Sequence, residues 1–380
     1  MTKLPGARED DAGEDDGRGD VAALVADLHL AAGESDPFSD DDRFAEAVAD
    51  LLASAAGRRL RLVCLGDTFD FPAVTLAGQR ATPATAPEEA VQKLDRILGA
   101  HPVAVKAFRS VVDAGHRVDL VAGNHDMELL MPGVQARLRE ALGAEAGGVE
   151  VHPWMLYVPG VLYAEHGQQH HDFNRFPWLG TTSPCAHGRL DVPAGSFLDA
   201  VVHLRRRQRG ASTSAQAVQA ARLVVGLLGA LLRLSRAERR RNQRERLLPS
   251  VSPPGLPAAA VLGIDRAAAA TPASIARRAL AMATARLRPS RAPARSPYMH
   301  AAARAVHHVL AAENASAPFY VFGHTHVAED VDLGDGARYL NPGTWSTMTR
   351  SVPGGDRRCG VVVIEWGDRG VPRAVLRCPV

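Results

Sequence analysis

An α/β fold is predicted for this chain, and three observations predict it. Short apolar runs at residues 21–27, 62–65 and 117–121 alternate with stretches of helical spacing, an order that implies parallel strand pairing. Each run stops at acids, histidine or asparagine, and open α/β sheets gather their chemistry at the carboxyl ends of strands. Strand character returns near residue 318 after a long Arg-rich interval, so the core is interrupted by an insertion.

The elements follow in order. Val21–Asp27 is a strand that delivers Asp27-Leu28-His29. Asp42–Ala53 has helical spacing through Phe44, Val48, Leu51 and Leu52. Leu62–Leu65 is a buried strand that stops at Gly66 and presents Asp67 and Asp70. Residues 72–86 are Ala/Thr/Pro-rich and read as a loop, with helices at about 87–98 and 102–114. Arg117–Val121 is the third strand and ends in Gly123-Asn124-His125-Asp126. Val149–Val158 and Val161–Glu165 flank the turn signal Pro159-Gly160 and read as a hairpin running into His166-Gly167. Pro318–Phe322 delivers Gly323-His324-Thr325-His326, and short strands at Tyr339-Leu340, Trp345–Thr349, Gly360–Trp366 and Ala374–Cys378 close the chain.

Composition divides the 380 residues further. The formal charge is only +2, yet residues 201–300 hold 19 Arg, no Lys and 3 acids, so +16 is concentrated there. Residues 1–20 read as a disordered acidic tail, being Gly-rich with little to bury. The core runs over 21–190 and resumes over 300–380, with an Arg-rich helical insertion or cap at 191–299. Four cysteines without Cys-x-x-Cys spacing argue against a disulfide framework and for a reducing, cytoplasmic setting.

Five segments offer metal-type ligands, each where a strand ends: Asp27/His29, Asp67, Asn124, His166 and His324/His326. Side chains two apart on a strand share a face, so the Asp-x-His and His-x-His pairs can each turn both members to one site. Carboxylates and imidazoles suit manganese, iron, zinc or nickel, and a carboxylate such as Asp67 can bridge two ions. Any one of these residues alone would read as a satisfied structural group; the ordered set of five is the signal. His170 and His171 read as exposed, and His101, His116, His152, His187, His203, His300, His307 and His308 show no partner pattern. Asn341-Pro342-Gly343-Thr344 reads as a turn that shapes the site.

The series Asp27-x-His29, Gly66-Asp67-x-x-Asp70, Gly123-Asn124-His125-Asp126, His166-Gly167 and Gly323-His324-x-His326 resembles the calcineurin-like metallophosphoesterase superfamily. The resemblance covers the core but not residues 190–300. It implies a four-layer α/β/β/α sandwich, two stacked sheets flanked by helices, with a helical insertion. By position, it implies that Asp27, His29 and His326 hold one divalent ion and that Asn124, His166 and His324 hold the other. Asp67 would bridge them, with manganese the first expectation for both ions. His125 matches the family's non-ligand histidine, which acts on the leaving group or a phosphoryl oxygen, and Asp70 the acid that orients it and favours its protonated form. The implied reaction is in-line attack on phosphorus by a metal-bridging hydroxide. Phe71 stands where phosphoprotein phosphatases of the family usually carry Arg, which argues against a phosphoprotein substrate. Asp27-Leu28-His29-Leu30 looks like the UDP-2,3-diacylglucosamine pyrophosphatase branch, although that branch commonly has Arg where this chain has His125. The expected activity is hydrolysis of a phosphate ester or pyrophosphate of a small molecule, lipid or nucleotide. A non-catalytic scaffold and a nuclease on the same fold are the alternatives; scaffolds of this fold typically lack ligands or the non-ligand histidine, and both are kept here.

The insertion carries one more pattern. Ala217–Arg240, read as a helix, places Arg222, Arg233, Arg236 and Arg240 on a narrow stripe opposite a wide apolar face. Its uninterrupted apolar run Leu223–Leu232 is ten residues, too short to span a bilayer. Three readings compete: a cap packed on the core or on a second copy in a homodimer, a peripheral contact with an anionic membrane, and nucleic-acid binding. Tyr298 is the one aromatic residue in 201–300, which leaves base stacking little to work with and disfavours the last.

Overall fold

The structure, a computed structural model, describes residues 20–34, 36–76, 86–144, 147–171, 174–176, 251–268, 297–347, 360–367 and 370–377. The acidic tail before residue 20, the Ala217–Arg240 helix and most of 191–299 lie outside the described residues.

Within them the fold is mixed α/β with two mixed sheets. The chain begins β1 (Asp20–Val25), α1 (Asp41–Ser54), β2 (Arg59–Leu65), α2 (Pro87–Ala100), α3 (Pro102–Asp113), β3 (Arg117–Val121), α4 (Pro132–Leu142) and β4 (Val149–His152). It continues β5 (Met155–Val158), β6 (Leu162–Glu165), α5 (Ala258–Ala267), α6 (Pro297–Ala312), β7 (Phe319–Phe322), β8 (Ala328–Gly334), β9 (Ala337–Pro342), β10 (Val361–Gly367) and β11 (Gly370–Arg377). The first sheet has the order β11-β10-β1-β2-β3-β4, and the second has β5-β6-β7-β9-β8. As the strand-helix alternation predicts, β1, β2 and β3 are parallel, with Leu24 opposite Val63 and Leu62 opposite Val118, and β4 adds a fourth parallel strand. In the second sheet β6, β7 and β9 are parallel, and β5 and β8 are antiparallel edges.

Strand alternation explains how the sheets are buried on both faces. Leu24, Val63, Leu65 and Val121 of the first sheet join Leu162, Ala164, Val321 and Leu340 of the second in one apolar cluster. Leu62, Cys64, Val118 and Leu120 turn the other way, into a cluster with Val48, Leu94 and Phe108 of α1, α2 and α3. Removing one such Leu or Val side chain from water contributes about 1.5–3 kcal/mol. On the second sheet α6 is fixed by His307 Nδ1, 2.9 Å from the Tyr320 hydroxyl.

Several expectations need correction. Val149–Val158 is not one strand of a hairpin. Pro153 has no N–H to continue the ladder, so β4 stays in the first sheet and the chain crosses to the second as β5. The turn at Pro159-Gly160 then joins β5 to β6 as expected. Trp345–Thr347 is not a strand: these residues bend, and their N–H groups bond to Asp27 O, Thr344 Oγ1 and Pro37 O instead of a ladder. The sequence reading had no counterpart for α4 or β8. Within 191–299, α5 packs beside α6 and the residue 175 segment: a Cβ on Gly263 would meet Val309 of α6 at 2.6 Å, and Asp265 pairs with Arg175 at 2.6 Å.

Candidate metal centre

All five ligand-bearing segments lie just beyond strand ends, and their loops meet. The loop after β1 is laced to the loop after β2 by His29 N to Asp67 O (2.8 Å), Leu30 N to Thr68 O (2.9 Å) and Asp70 N to Leu30 O (2.8 Å). Asp126 clamps the loop after β2 to the loop after β3, accepting from Gly123 N (2.6 Å), Thr68 N (2.7 Å) and Phe69 N (3.3 Å). The second sheet adds its loops through Gly323 N to His166 O (3.0 Å) and His324 N to Asp27 Oδ2 (2.9 Å). Glycine is required at the closest approach: a Cβ on Gly66, which has φ 75°, would sit 2.5 Å from Cγ of His166.

The backbone here differs from the expectation. Asp27, His29, Asp67, His324 and His326 all have left-handed φ, between 49° and 68°. The paired residues therefore do not share a face because they continue a strand. They converge because the chain alternates into the left-handed region at every second residue.

Two groups of donor atoms take in the expected ligands, and a third, His29, Asp67 and His125, overlaps both. In the first, His326 Nε2 is 3.2 Å from Asp27 Oδ1 and 3.3 Å from His29 Nε2. In the second, His166 Nε2 is 3.2 Å from both Asp67 Oδ2 and His324 Nδ1, and 3.3 Å from Asn124 Oδ1. The same Asp67 Oδ2 is 3.7 Å from His29 Nε2, so one carboxylate oxygen adjoins both groups. Asp27, His29, Asp67 and His166 are all at most 2% exposed.

These atoms fit divalent cations. His166 Nδ1 is 2.7 Å from the Leu65 carbonyl, so in the neutral ring it carries the proton and Nε2 offers a lone pair. That lone pair faces a carboxylate oxygen, an amide oxygen and a second imidazole nitrogen. Such a convergence of acceptors calls for positive charge between them. Asp27 Oδ1, fully buried, has no hydrogen bond. A buried carboxylate oxygen without a hydrogen bond is costly unless a cation answers it. Burial would raise Asp67, but His166, His125 and His29 together hold it well below the usual carboxylate range. Burial would lower His166, yet Asp67 beside it pushes it up to about 9 when no other cation answers the carboxylate. Burial, with His166 and His171 nearby, holds His324 well below the usual histidine range, leaving it neutral and a fit ligand.

His125 stands at the edge of both groups. Its Nδ1 is 3.1 Å from Asp70 Oδ1, its ring meets that of His29 edge-on at 4.8 Å, and its N–H donates to Asp67 Oδ1 at 2.8 Å. Burial would raise Asp70, but His125 and His29 hold its carboxyl well below the usual range.

Further residues surround these donor groups, among them the Asn341 turn expected to shape the site and two histidines, His170 and His171, for which exposure is the favoured expectation over lining the pocket. His170 is not exposed: it stacks on Phe322 and lies 2.7 Å from Glu165 Oε1. His171 stands beside His324, rings 5.4 Å apart, and Asn174 Nδ2 is 3.5 Å from His324 Nε2. The turn at Asn341 acts behind the site: Asn341 Nδ2 donates to Gly323 O (2.9 Å) and Thr325 Oγ1 (3.1 Å), and Thr344 Oγ1 donates to Asp27 O (2.7 Å). A further acid–histidine group, Asp119, Glu150 and His152, is already answered by Arg61, 2.9 Å from Asp119, and by Arg117.

No family model matches the chain, and no curated protein matches it. Among solved structures, it is similar to a phosphopantetheinyl hydrolase (PptH) from Mycobacterium tuberculosis, with 13% identity over 86% of this chain and 91% of that one, TM-score 0.27. It is also similar to a dimetal phosphatase from Danio rerio, with 12% identity over 95% of this chain and 99% of that one, TM-score 0.33. At these scores neither likeness bears on the chemistry, which rests on the side chains above. Among the described residues no helix is long and apolar enough to cross a membrane.

Proposed function

We propose that the chain is a dimetal-dependent hydrolase of phosphate esters or pyrophosphates. One observation carries this reading: Asp67 Oδ2 adjoins two largely buried donor groups, each with histidine nitrogens converging on carboxylate oxygen. Asp27, His29 and His326 would hold one ion, Asn124, His166 and His324 the other, and Asp67 both. Two divalent cations bound there would lower the pKa of a coordinated water and neutralise phosphate charge. The chain's own contribution is positioning. His125 is held through Nδ1 by Asp70, and its Nε2 is the nitrogen proposed to transfer a proton at the leaving-group oxygen. The substrate class proposed is a phosphorylated small molecule, nucleotide or lipid, and manganese is the first ion to test.

The test is metal analysis of the purified protein followed by turnover assays. The panel covers phosphomonoesters, phosphodiesters, nucleotide-sugar pyrophosphates and lipid phosphates. Two ions per chain and metal-dependent release of phosphate or a phosphorylated product are expected. A chain that binds no divalent ion, or binds two and hydrolyses none of these, would overturn the reading.

A further inference from the structure

We propose that Asp70 positions two imidazoles at once: one carboxylate oxygen holds His125, and the other sets the tautomer of the ligand His29. The proposal rests on the dimetal reading above and adds a coupling between one ion and the proton-transfer histidine. Asp70 Oδ1 is 3.1 Å from both His125 Nδ1 and the N–H of Ala73. Asp70 Oδ2 is 3.4 Å from His29 Nδ1, an ion-pair distance, and neither of those two buried atoms has a hydrogen-bond partner. His29 is 1% exposed and Asp70 0%, so water does not compete for either atom. Their separation is set by backbone rather than by long side chains. Leu30 and Phe69 form a parallel bridge, and Asp70 N donates to Leu30 O at 2.8 Å.

The consequence follows from imidazole chemistry. A neutral ring has one N–H and one lone pair. A carboxylate oxygen facing Nδ1 keeps the proton there and leaves the lone pair on Nε2. That nitrogen faces Asp27 Oδ1 at 3.9 Å, Asp67 Oδ2 at 3.7 Å and His326 Nε2 at 3.3 Å, the first donor group. Partners of this kind on the outer nitrogen typically change metal affinity 10–100-fold when removed.

Asp70→Asn separates the two duties. If the amide oxygen stays toward Ala73 and His125, the new NH2 faces His29 Nδ1. Two donors then oppose each other, and His29 must carry its proton on Nε2, pointing into the donor group. Mn2+ titration of the metal-stripped full chain should show one of two ions bound about 10–100-fold more weakly in Asp70→Asn, with the other unchanged. His125→Ala should bind both as the wild type does. A second measurement needs no variant fold: the long-range 1H–15N imidazole spectrum of the metal-stripped wild type should show His29 with its proton on Nδ1, the peak assigned by its loss in His29→Gln. Unchanged affinity for both ions in Asp70→Asn, equal loss of both, or a wild-type His29 protonated on Nε2 would each overturn the proposal. A wild type that binds no Mn2+ would instead overturn the dimetal reading itself.

Discussion

Replacing His125 by Ala should slow the chemical step while leaving the donor groups intact. His125 is not needed to hold the fold of the site: its loop is fixed by its own N–H to Asp67 Oδ1, by its C=O accepting from Phe71 N, and by the Asp126 clamp, all of which survive the change. Asp70 Oδ1 holds the ring through Nδ1 at 3.1 Å, and the proposed proton transfer is assigned to Nε2. A positioned general acid contributes about 10²–10⁴ in rate. At 1.36 kcal/mol per decade that is roughly 2.7–5.4 kcal/mol of barrier. The full loss should appear with an alkyl phosphate ester, whose oxyanion needs a proton as it departs. With a nitrophenyl ester, whose leaving group is stable as an anion, the loss should shrink markedly. The assay compares kcat for both esters in wild type and His125→Ala, with metal content measured on the same samples. Equal losses for both esters would refute a proton-donor role, and loss of metal in the variant would move His125 into the ligand set.

Three other outcomes are expected. Asp67→Ala removes the carboxylate shared by both groups, so most bound metal and activity should vanish; unchanged metal stoichiometry would sink its assignment. Asn341→Ala leaves the buried N–H of Gly343 without its acceptor and removes the donors to Gly323 O and Thr325 Oγ1. A cost of about 2–4 kcal/mol should lower the urea midpoint and weaken metal binding together, and a midpoint equal to the wild type's would contradict this. His101 lies 2.8 Å from Asp36 and 3.0 Å from Asp41, which outweigh burial and raise its pKa in the folded state. Its contribution is therefore complete below the ordinary histidine value of about 6.5 and fades as pH rises through the folded value. Stability of the wild type should thus fall relative to His101→Gln over that rise, and parallel pH profiles in urea denaturation would disprove it.

The sequence made some of this legible and left the rest hidden, for physical reasons. Strand ends and their ligands were readable because a buried apolar run stopping at Gly-Asp or Gly-Asn-His is a local pattern. The two donor groups were not readable from the residues alone. Asp27 and His326 are 299 residues apart in the chain and meet only because β7 joins the second sheet beside β6. α4 had visible signals, Pro132 at its start and Gly143 in a left-handed cap at its end, but its apolar face is thin, with Val134, Leu138 and Leu142 buried. The split of Val149–Val158 turns on Pro153, whose effect is clear only once β4 has β3 as a partner. His101 showed no pattern because its acids, Asp41 at the start of α1 and Asp36 in the loop before it, lie 60 and 65 residues earlier. What the sequence did not show at all is that the paired ligands converge through left-handed backbone.

That backbone explains why so much of the surrounding chain is devoted to hydrogen bonding. Seven described residues other than glycine have positive φ, and five of them are Asp27, His29, Asp67, His324 and His326. At about 1–2 kcal/mol each, five such residues cost on the order of 5–10 kcal/mol. That is comparable with the whole net stability of a domain, about 5–15 kcal/mol. Asp and His tolerate the left-handed region better than most residues, which moves the cost toward the lower figure. The rest must be offset locally. Asp126 accepts three N–H groups around Asp67, Thr344 and Trp345 together hold the carbonyl of Asp27, and Asn341 holds Gly323 and Thr325 on either side of His324. None of those residues offers an atom to either donor group. They bear the strain that lets alternate residues of two loops aim at one point, as concentrated strain at a functional site requires. Without them the loops could relax toward extended backbone, and the imidazoles that now stand 3.2–3.3 Å apart would separate.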